Sequence, residues 1–111
     1  MSSDLLLQMG QRLIERRKQL RLTQEEIANK ADLTIQVVSN SELGKTAIRP
    51  ENMLKLCEAL EISTDYLLTG QIVDKDVFIL EQKVRTFTPR QFQFLEDFVR
   101  QFIDLCEEGE V

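Results

Sequence analysis

The chain has 111 residues, 42% hydrophobic and 30% charged, with 4 glycines and 2 prolines. That length suits one compact domain with an appendage, and the composition suits a helix-rich protein with few long loops. No run of 18 apolar residues is present, so no segment is expected to cross a membrane. Met1 to Leu7 is too short, and lacks the basic flank, for a signal peptide. Cys57 and Cys106 stand far apart with no CxxC spacing. A reducing, cytoplasmic setting with both thiols free is therefore expected, with Cys57 as a small core residue. The absence of histidine excludes histidine-based triads and histidine metal sites. There is no glycine-rich phosphate loop and no HExxH, so an enzyme is not expected and no cofactor or metal is implied. The net charge of −5 is unevenly spread: residues 1–70 hold 9 Lys+Arg against 10 Asp+Glu, and residues 71–111 hold 5 against 9. The acid is concentrated in the second part. The first part can still present a basic face, drawn from Arg16, Arg17, Lys18, Arg21, Lys30, Lys45 and Arg49.

Taken in order, Leu5 to Leu20 reads as a first helix, with Leu6, Met9, Leu13 and Leu20 near helical spacing. Thr23 is an N-cap, and Glu26 three residues later completes a capping box for a second helix. Its stripe is Ile27, Ala28 and Ala31. Asp32 breaks the pattern, Leu33 offers an apolar plug and Thr34 caps a third helix that Gly44 stops. In that helix Val38 can face inward, whereas Ile35, Gln36, Ser39, Asn40 and Leu43 can face outward. Lys45 to Arg49 is a loop. Pro50 opens a fourth helix, where its missing N–H costs nothing, and Met53, Leu54, Leu56, Cys57 and Leu60 form its stripe. Ser63 caps a short fifth helix through Leu68, ended by Thr69-Gly70. Asp74 to Thr86 reads as a further helix bearing Val77, Phe78, Leu80 or Glu81, and Val84. Thr88-Pro89 then starts a strongly periodic helix that runs to about Glu107.

Two short helical patterns with a tight break between them, as in TQEEIANKADLTIQVVSNSELG over residues 23–44, have the sequence shape of a DNA-binding helix-turn-helix. Here the chain resembles the Cro and phage-repressor type of helix-turn-helix regulators, the xenobiotic-response-element (XRE) family. MGQRLIERRKQLRLTQEEIA is similar to the family's opening helix and the start of its second. SELGK is similar to the end of its recognition helix, and ENMLKLCEALEISTDYLLTG to its closing two helices. The resemblance covers about residues 8–70. It implies an all-α fold with a five-helix lambda-repressor-like DNA-binding domain over residues 1–70; the apolar periodicity of the remainder makes residues 71–111 the expected C-terminal helical oligomerisation segment. The layout also resembles SinR-type repressors. The implied function is a sequence-specific transcriptional regulator, a repressor binding an inverted-repeat operator as a homodimer through the major groove, with half-sites ~34 Å apart.

Carried over residue by residue, the family's base-contacting positions fall on Ile35, Gln36 and Asn40, with Ser39 facing outward beside them. The amides of Gln36 and Asn40 suit the N6 and N7 edge of adenine, and Ile35 suits a thymine methyl. Gln24, which the resemblance assigns both to a phosphate and to bracing the recognition helix, joins Arg17, Leu43, Lys45 and Thr46 as the expected phosphate contacts. Such contacts position the protein without reading sequence. Arg12 and Glu42 match family positions that pair across the domain, so a structural salt bridge between them is expected. Asp32 stands where the family has a turn glycine, and aspartate tolerates the left-handed conformation that the turn requires. Ser41 stands where the family usually has a large apolar residue. The near-neutral head predicts modest non-specific affinity and a shallow salt slope.

Phe92, Leu95, Phe98, Val99, Phe102 and Ile103 repeat at three- and four-residue intervals in the last helix. Such a face must pack on something, and a second copy across a two-fold axis is the economical partner. Folding back over the head is the alternative. A partner helix with a matching apolar face, a protein antagonist, could open that contact. A second class of function is a protein-interaction module, an anti-repressor or antitoxin-like adaptor using the same fold through Ile35, Val37, Leu43 and the phenylalanine-rich tail.

Overall fold

The computed structural model describes residues 3–109; the extreme ends of the two expected segments, residues 1–2 and 110–111, lie outside the described residues. The described residues form seven helices and no strand: α1 (Ser3–Gln19), α2 (Gln24–Ala31), α3 (Ile35–Leu43), α4 (Pro50–Leu60), α5 (Thr64–Thr69), α6 (Asp74–Val84) and α7 (Pro89–Glu107). None is long and apolar enough to cross a membrane. By packing, the chain divides into Met1–Ile79 and Leu80–Val111.

Three corners of the first unit are built the same way. Arg21, Asp32 and Glu61 adopt the left-handed conformation with φ of 59°, 55° and 57°. Each is followed by one apolar residue and one hydroxyl N-cap: Leu22-Thr23, Leu33-Thr34 and Ile62-Ser63. The N–H of the apolar residue reaches back to a carbonyl of the preceding helix, Leu22 to Arg17, Leu33 to Ala28 and Ile62 to Cys57, at 2.8–3.1 Å. The same residue packs against the core. This closes the outgoing helix with a Schellman-type bond and starts the next one with a side-chain cap. The turn thus uses Asp32 where glycine was the family expectation, and two corners use an arginine and a glutamate in the same conformation.

The helices enclose a core of Met9, Leu13, Ile27, Val38, Leu56, Leu60 and Leu67, each at most 1% exposed, joined by Ala28, Ile48, Met53, Cys57 and Ile62. Cys57 is buried, as its place in the stripe implied; burial first, and the charge of Asp76 second, push its thiol up to about 12, which keeps it protonated and unreactive. Leu54 departs from the expected stripe: it is 63% exposed, because the buried arc of α4 is already filled by Met53, Leu56, Cys57, Ala59 and Leu60. Gly10 of α1 lies directly against α3, where a Cβ would overlap the carbonyl of Glu42 and crowd that of Ser41. Ser41 is buried and donates its hydroxyl to the Val37 carbonyl at 2.7 Å. The small side chain at a position where the family usually has a large apolar residue thus accompanies a close approach of α1 to α3.

The first turn of α6 is tied to the head. Asp76 accepts from the Ser63 backbone N–H and hydroxyl, both at 2.8 Å, and from the Val73 N–H at 3.0 Å. Ser63 Oγ meanwhile caps α5 by accepting from the Tyr66 N–H. The first unit thus extends past Gly70 into α6. In the second unit, Thr88 and Gln91 form a capping box with Pro89 at the first helical position. No residue of α7 is buried, and Phe92, Phe94, Phe98 and Phe102 are 47–66% exposed.

Two outcomes are expected. Gly10→Ala should destabilise the fold by about 1–3 kcal/mol through overpacking, measured by denaturant unfolding. Partial burial works to raise the carboxyl pKa of Asp76, but the hydrogen bonds from Val73 and Ser63 and the charge of Arg16 outweigh it and hold the group below its ordinary value of 3.8. A depressed carboxyl stabilises the fold in full above that ordinary value, and the contribution is lost as pH falls through the folded-state value. Hydrogen exchange at the Ser63 and Val73 amides should therefore lose protection in that acid range, and Asp76→Ala should remove it at neutral pH.

Candidate nucleic-acid interface

The third helix is short and polar on one side, so little but its frame can hold it. Thr34 caps its N-terminus, accepting from the Val37 N–H at 3.2 Å, and Gly44 closes its C-terminus at φ 67°. A Cβ at Gly44 would also press on the Leu6 carbonyl. Val38, Ser41 and Glu42 face the interior. Glu42, 7% exposed, is the joint of three helices. Its carboxylate accepts from Arg17 Nε at 2.7 Å and Nη2 at 3.1 Å, and from Gln24 Nε2 at 2.9 Å. Arg17 comes from α1 and Gln24 from the first position of α2. A bidentate guanidinium and a third donor satisfy the buried carboxylate and fix the rotation of α3 about its axis.

This geometry corrects two expectations. The partner of Glu42 is Arg17, not Arg12. Arg17 is five residues beyond Arg12, about 140° further round α1, and lies beside α3, whereas Arg12 points toward α5, donating from Nη1 to the Leu67 carbonyl at 2.9 Å and resting against Gly70. Arg17 also leaves the phosphate set: two of its nitrogens hold Glu42 and the third donates to the Leu22 carbonyl at 3.0 Å, with the side chain only 15% exposed. Arg16 is likewise turned inward, donating from Nε to the Leu60 carbonyl at 2.9 Å. The Gln24 side chain is occupied by Glu42, consistent with its bracing role.

The outward face of α3 carries Gln36, Ser39, Asn40 and Leu43, flanked by Ile35. Ile35 is 47% and Leu43 52% exposed, Gln36 is exposed, and Ser39 and Asn40 are half-buried. Gln36 Nε2 donates to Asn40 Oδ1 at 2.9 Å, one helical turn on. That bond uses neither the Gln36 side-chain oxygen nor the Asn40 side-chain nitrogen, an acceptor and a donor on linked side chains. Leu43 offers no side-chain donor, so only its backbone could meet a phosphate. Lys45 and Thr46 follow, both exposed. Asn40 and Thr46 share a shallow groove beside α3 with Arg49 and Asn52 at the start of α4. The Arg49 side chain makes no capping hydrogen bond to α4. Asn52 was not anticipated; nothing in its local pattern marks it, because its place at the groove depends on how α4 meets α3. Among the described residues no cluster of cysteine and carboxylate side chains could hold a metal ion.

Comparison with known proteins agrees with this architecture. The helix-turn-helix family profile matches residues 13–67. The chain is 35% identical over 69 residues to repressor protein C2 of Salmonella phage P22, covering 62% of this chain and 32% of that repressor. It is 33% identical over 81 residues to the uncharacterised HTH-type transcriptional regulator YqaE of Bacillus subtilis, covering 73% of this chain and 69% of that protein. Among solved structures, the P22 c2 repressor in complex with a synthetic operator superposes with a TM-score of 0.55 at 36% identity, covering 57% of this chain and 96% of that one. The restriction-modification controller protein C.AhdI of Aeromonas hydrophila gives 0.56 at 36% identity, covering 60% and 98%. The chain belongs to the helix-turn-helix family of the Cro and phage-repressor (XRE) type. Its match spans about a third of the phage repressor's length.

Removing Glu42 strands the Arg17 guanidinium in a half-buried site. Glu42→Ala should cost about 3 kcal/mol, in the range for one partner of a buried pair. Arg12→Ala, which removes a cap to a backbone carbonyl, should cost about 1 kcal/mol. Equal losses in thermal or denaturant unfolding would show that Glu42 is not the joint.

Proposed function

We propose that this chain is a sequence-specific DNA-binding transcriptional regulator that inserts α3 into the major groove of double-stranded DNA and represses by occupying its operator. The observation that carries the reading is the Gln36–Asn40 amide pair on the outward face of a helix whose rotation is fixed by Glu42. A linked acceptor and donor at this position match the paired edge groups of a base, adenine above all. Ile35 at the start of the helix supplies an apolar contact for a thymine methyl, and Ser39 adds a hydroxyl. Lys45 and Thr46, the first-turn N–H groups of α2 at Gln24 and the backbone at Leu43 position the helix on phosphates. The P22 c2 repressor, one of the solved relatives, is bound to an operator.

Three of the head's arginines are committed to internal carbonyls or to Glu42. The cations left for phosphates are therefore few, and affinity should fall only gently with salt. Specificity then depends on base contacts and on two copies acting together. The apolar face of α7, with Phe92, Leu95, Phe98, Val99, Phe102 and Ile103, is read as the surface that pairs two chains. Two recognition helices would then meet half-sites ~34 Å apart. A protein antagonist whose helix competes for that face would separate the copies.

In-vitro selection from random DNA with the intact protein at low salt should enrich an inverted repeat with half-sites about one turn apart. On the selected site, Gln36→Ala with Asn40→Ala should abolish specific binding, a loss of about 2–6 kcal/mol for two base contacts, while the unfolding midpoint stays put. Unchanged affinity in that double variant would remove α3's outward face from the reading.

A further inference from the structure

Helix α7 carries its end charges in the reverse of the usual order. The helix dipole favours acid in the first turn and base in the last. Helices α1 and α6 follow that order, with Asp4 ahead of Arg16, Arg17 and Lys18, and with Asp74 and Asp76 ahead of Lys83. In α7 the first turn holds no acid and the last turn no base. Arg90 stands at the start, with its guanidinium over the Phe94 ring, and Asp104 and Glu107 stand at the end. Arg100, midway, is paired with Glu96 at 3.1 Å. An isolated helix gains nothing from this arrangement, and it is corrected when a neighbour of opposite direction lies alongside.

The apolar seam has a matching property. Phe92, Leu95, Val99 and Phe102 are spaced by three, four and three residues, a pattern unchanged when the helix is read backwards. It also has a ring at each end and aliphatic side chains in the middle. Phe92, Val99 and Phe102 are 45–48% exposed, so the seam is open to a partner.

From these two features we infer that α7 pairs antiparallel with α7 of a second copy, in the register that sets Phe92 across from Phe102 and Leu95 across from Val99. This rests on the homodimer reading above and adds its direction and register. In the same register Arg90 and the free N–H groups of one first turn come level with Asp104 in the last turn of the other helix. Each acidic end then meets a positive one. A parallel pair would set the acidic last turns, and the negative dipole ends, side by side. The two-fold axis crosses the seam between Leu95 and Val99, as a closed, self-complementary contact requires.

Cysteine cross-linking of the full chain tests this. In a Cys106→Ser background, with Cys57 buried, Phe92→Cys and Phe102→Cys variants are oxidised separately and as a mixture. These positions are ten residues apart, roughly 15 Å along a helix, beyond the ~7 Å Cα separation a disulfide can span. The expected result is a cross-linked dimer in the mixture and none in either variant alone. Leu95→Cys mixed with Val99→Cys, which keeps both ring pairs, should cross-link faster than either alone. Disulfides forming within the Phe92→Cys variant alone and the Phe102→Cys variant alone would establish a parallel pair and overturn the inference while leaving the dimer standing. No cross-link in any sample, with the unmutated chain sedimenting as a dimer, overturns the register. A monomer in sedimentation overturns the dimer reading and this inference together.

Discussion

The carboxylate of Glu42 is the point from which the head is organised. It is buried on α3, yet both its oxygens are satisfied from outside that helix, by the α1 guanidinium of Arg17 and the α2 amide of Gln24. A buried carboxylate left without partners would be strongly unfavourable, so the three helices have one mutual arrangement in which that group is fully bonded. Gly10 allows the closeness this needs, because α1 can approach the α3 backbone only where no Cβ intervenes. The outward face of α3 is the consequence. With Val38, Ser41 and Glu42 directed inward, Gln36, Ser39, Asn40 and Leu43 can only face away.

The arginines of α1 act as clamps. Arg12 holds the end of α5, Arg16 the end of α4, and Arg17 the α1–α2 corner together with Glu42. Arg12 and Arg16 satisfy carbonyls that a helix terminus would otherwise leave without partners, and Arg17 satisfies one in the corner. The same use removes three cations from the surface of a domain that is close to neutral by composition. Under the proposed function, such a domain would rely less on general attraction to the phosphate backbone and more on the fit of a few side chains to base edges.

The second unit follows a different rule. Its last helix has two capping bonds at the start, a long apolar face and no buried residue. Isolated helices owe little of their stability to propensity, and most of it to packing of the apolar face. The reversed end charges of α7 add to that need. The head is complete as a fold, with its corners, clamps and core closed within Met1–Ile79, whereas no residue of α7 is buried.

Much of the architecture could be read along the chain because it is written in short-range rules. Thr23, Thr34, Ser63 and Thr88 announce helix starts by hydroxyl caps, Gly44 and Gly70 announce ends, and Pro50 and Pro89 open helices, as they do in the structure. The helix-turn-helix, the inward Val38 and the tolerance of Asp32 for a left-handed turn belong to the same group. Long-range partnership was not legible. Arg12, Arg16 and Arg17 look alike in sequence, and only the crossing of α1 over α3 brings Arg17 to Glu42 and sends Arg12 to Leu67. The need for glycine at position 10, the tie from Asp76 to Ser63 and the outward turn of Leu54 likewise depend on which backbones meet. By itself the sequence determined where helices begin and end, and which side chains a recognition helix could display, because caps and periodicity act within a few residues. The tertiary structure alone decided which charges are locked inside and which face of α3 stays free, because those depend on atoms far apart in the chain.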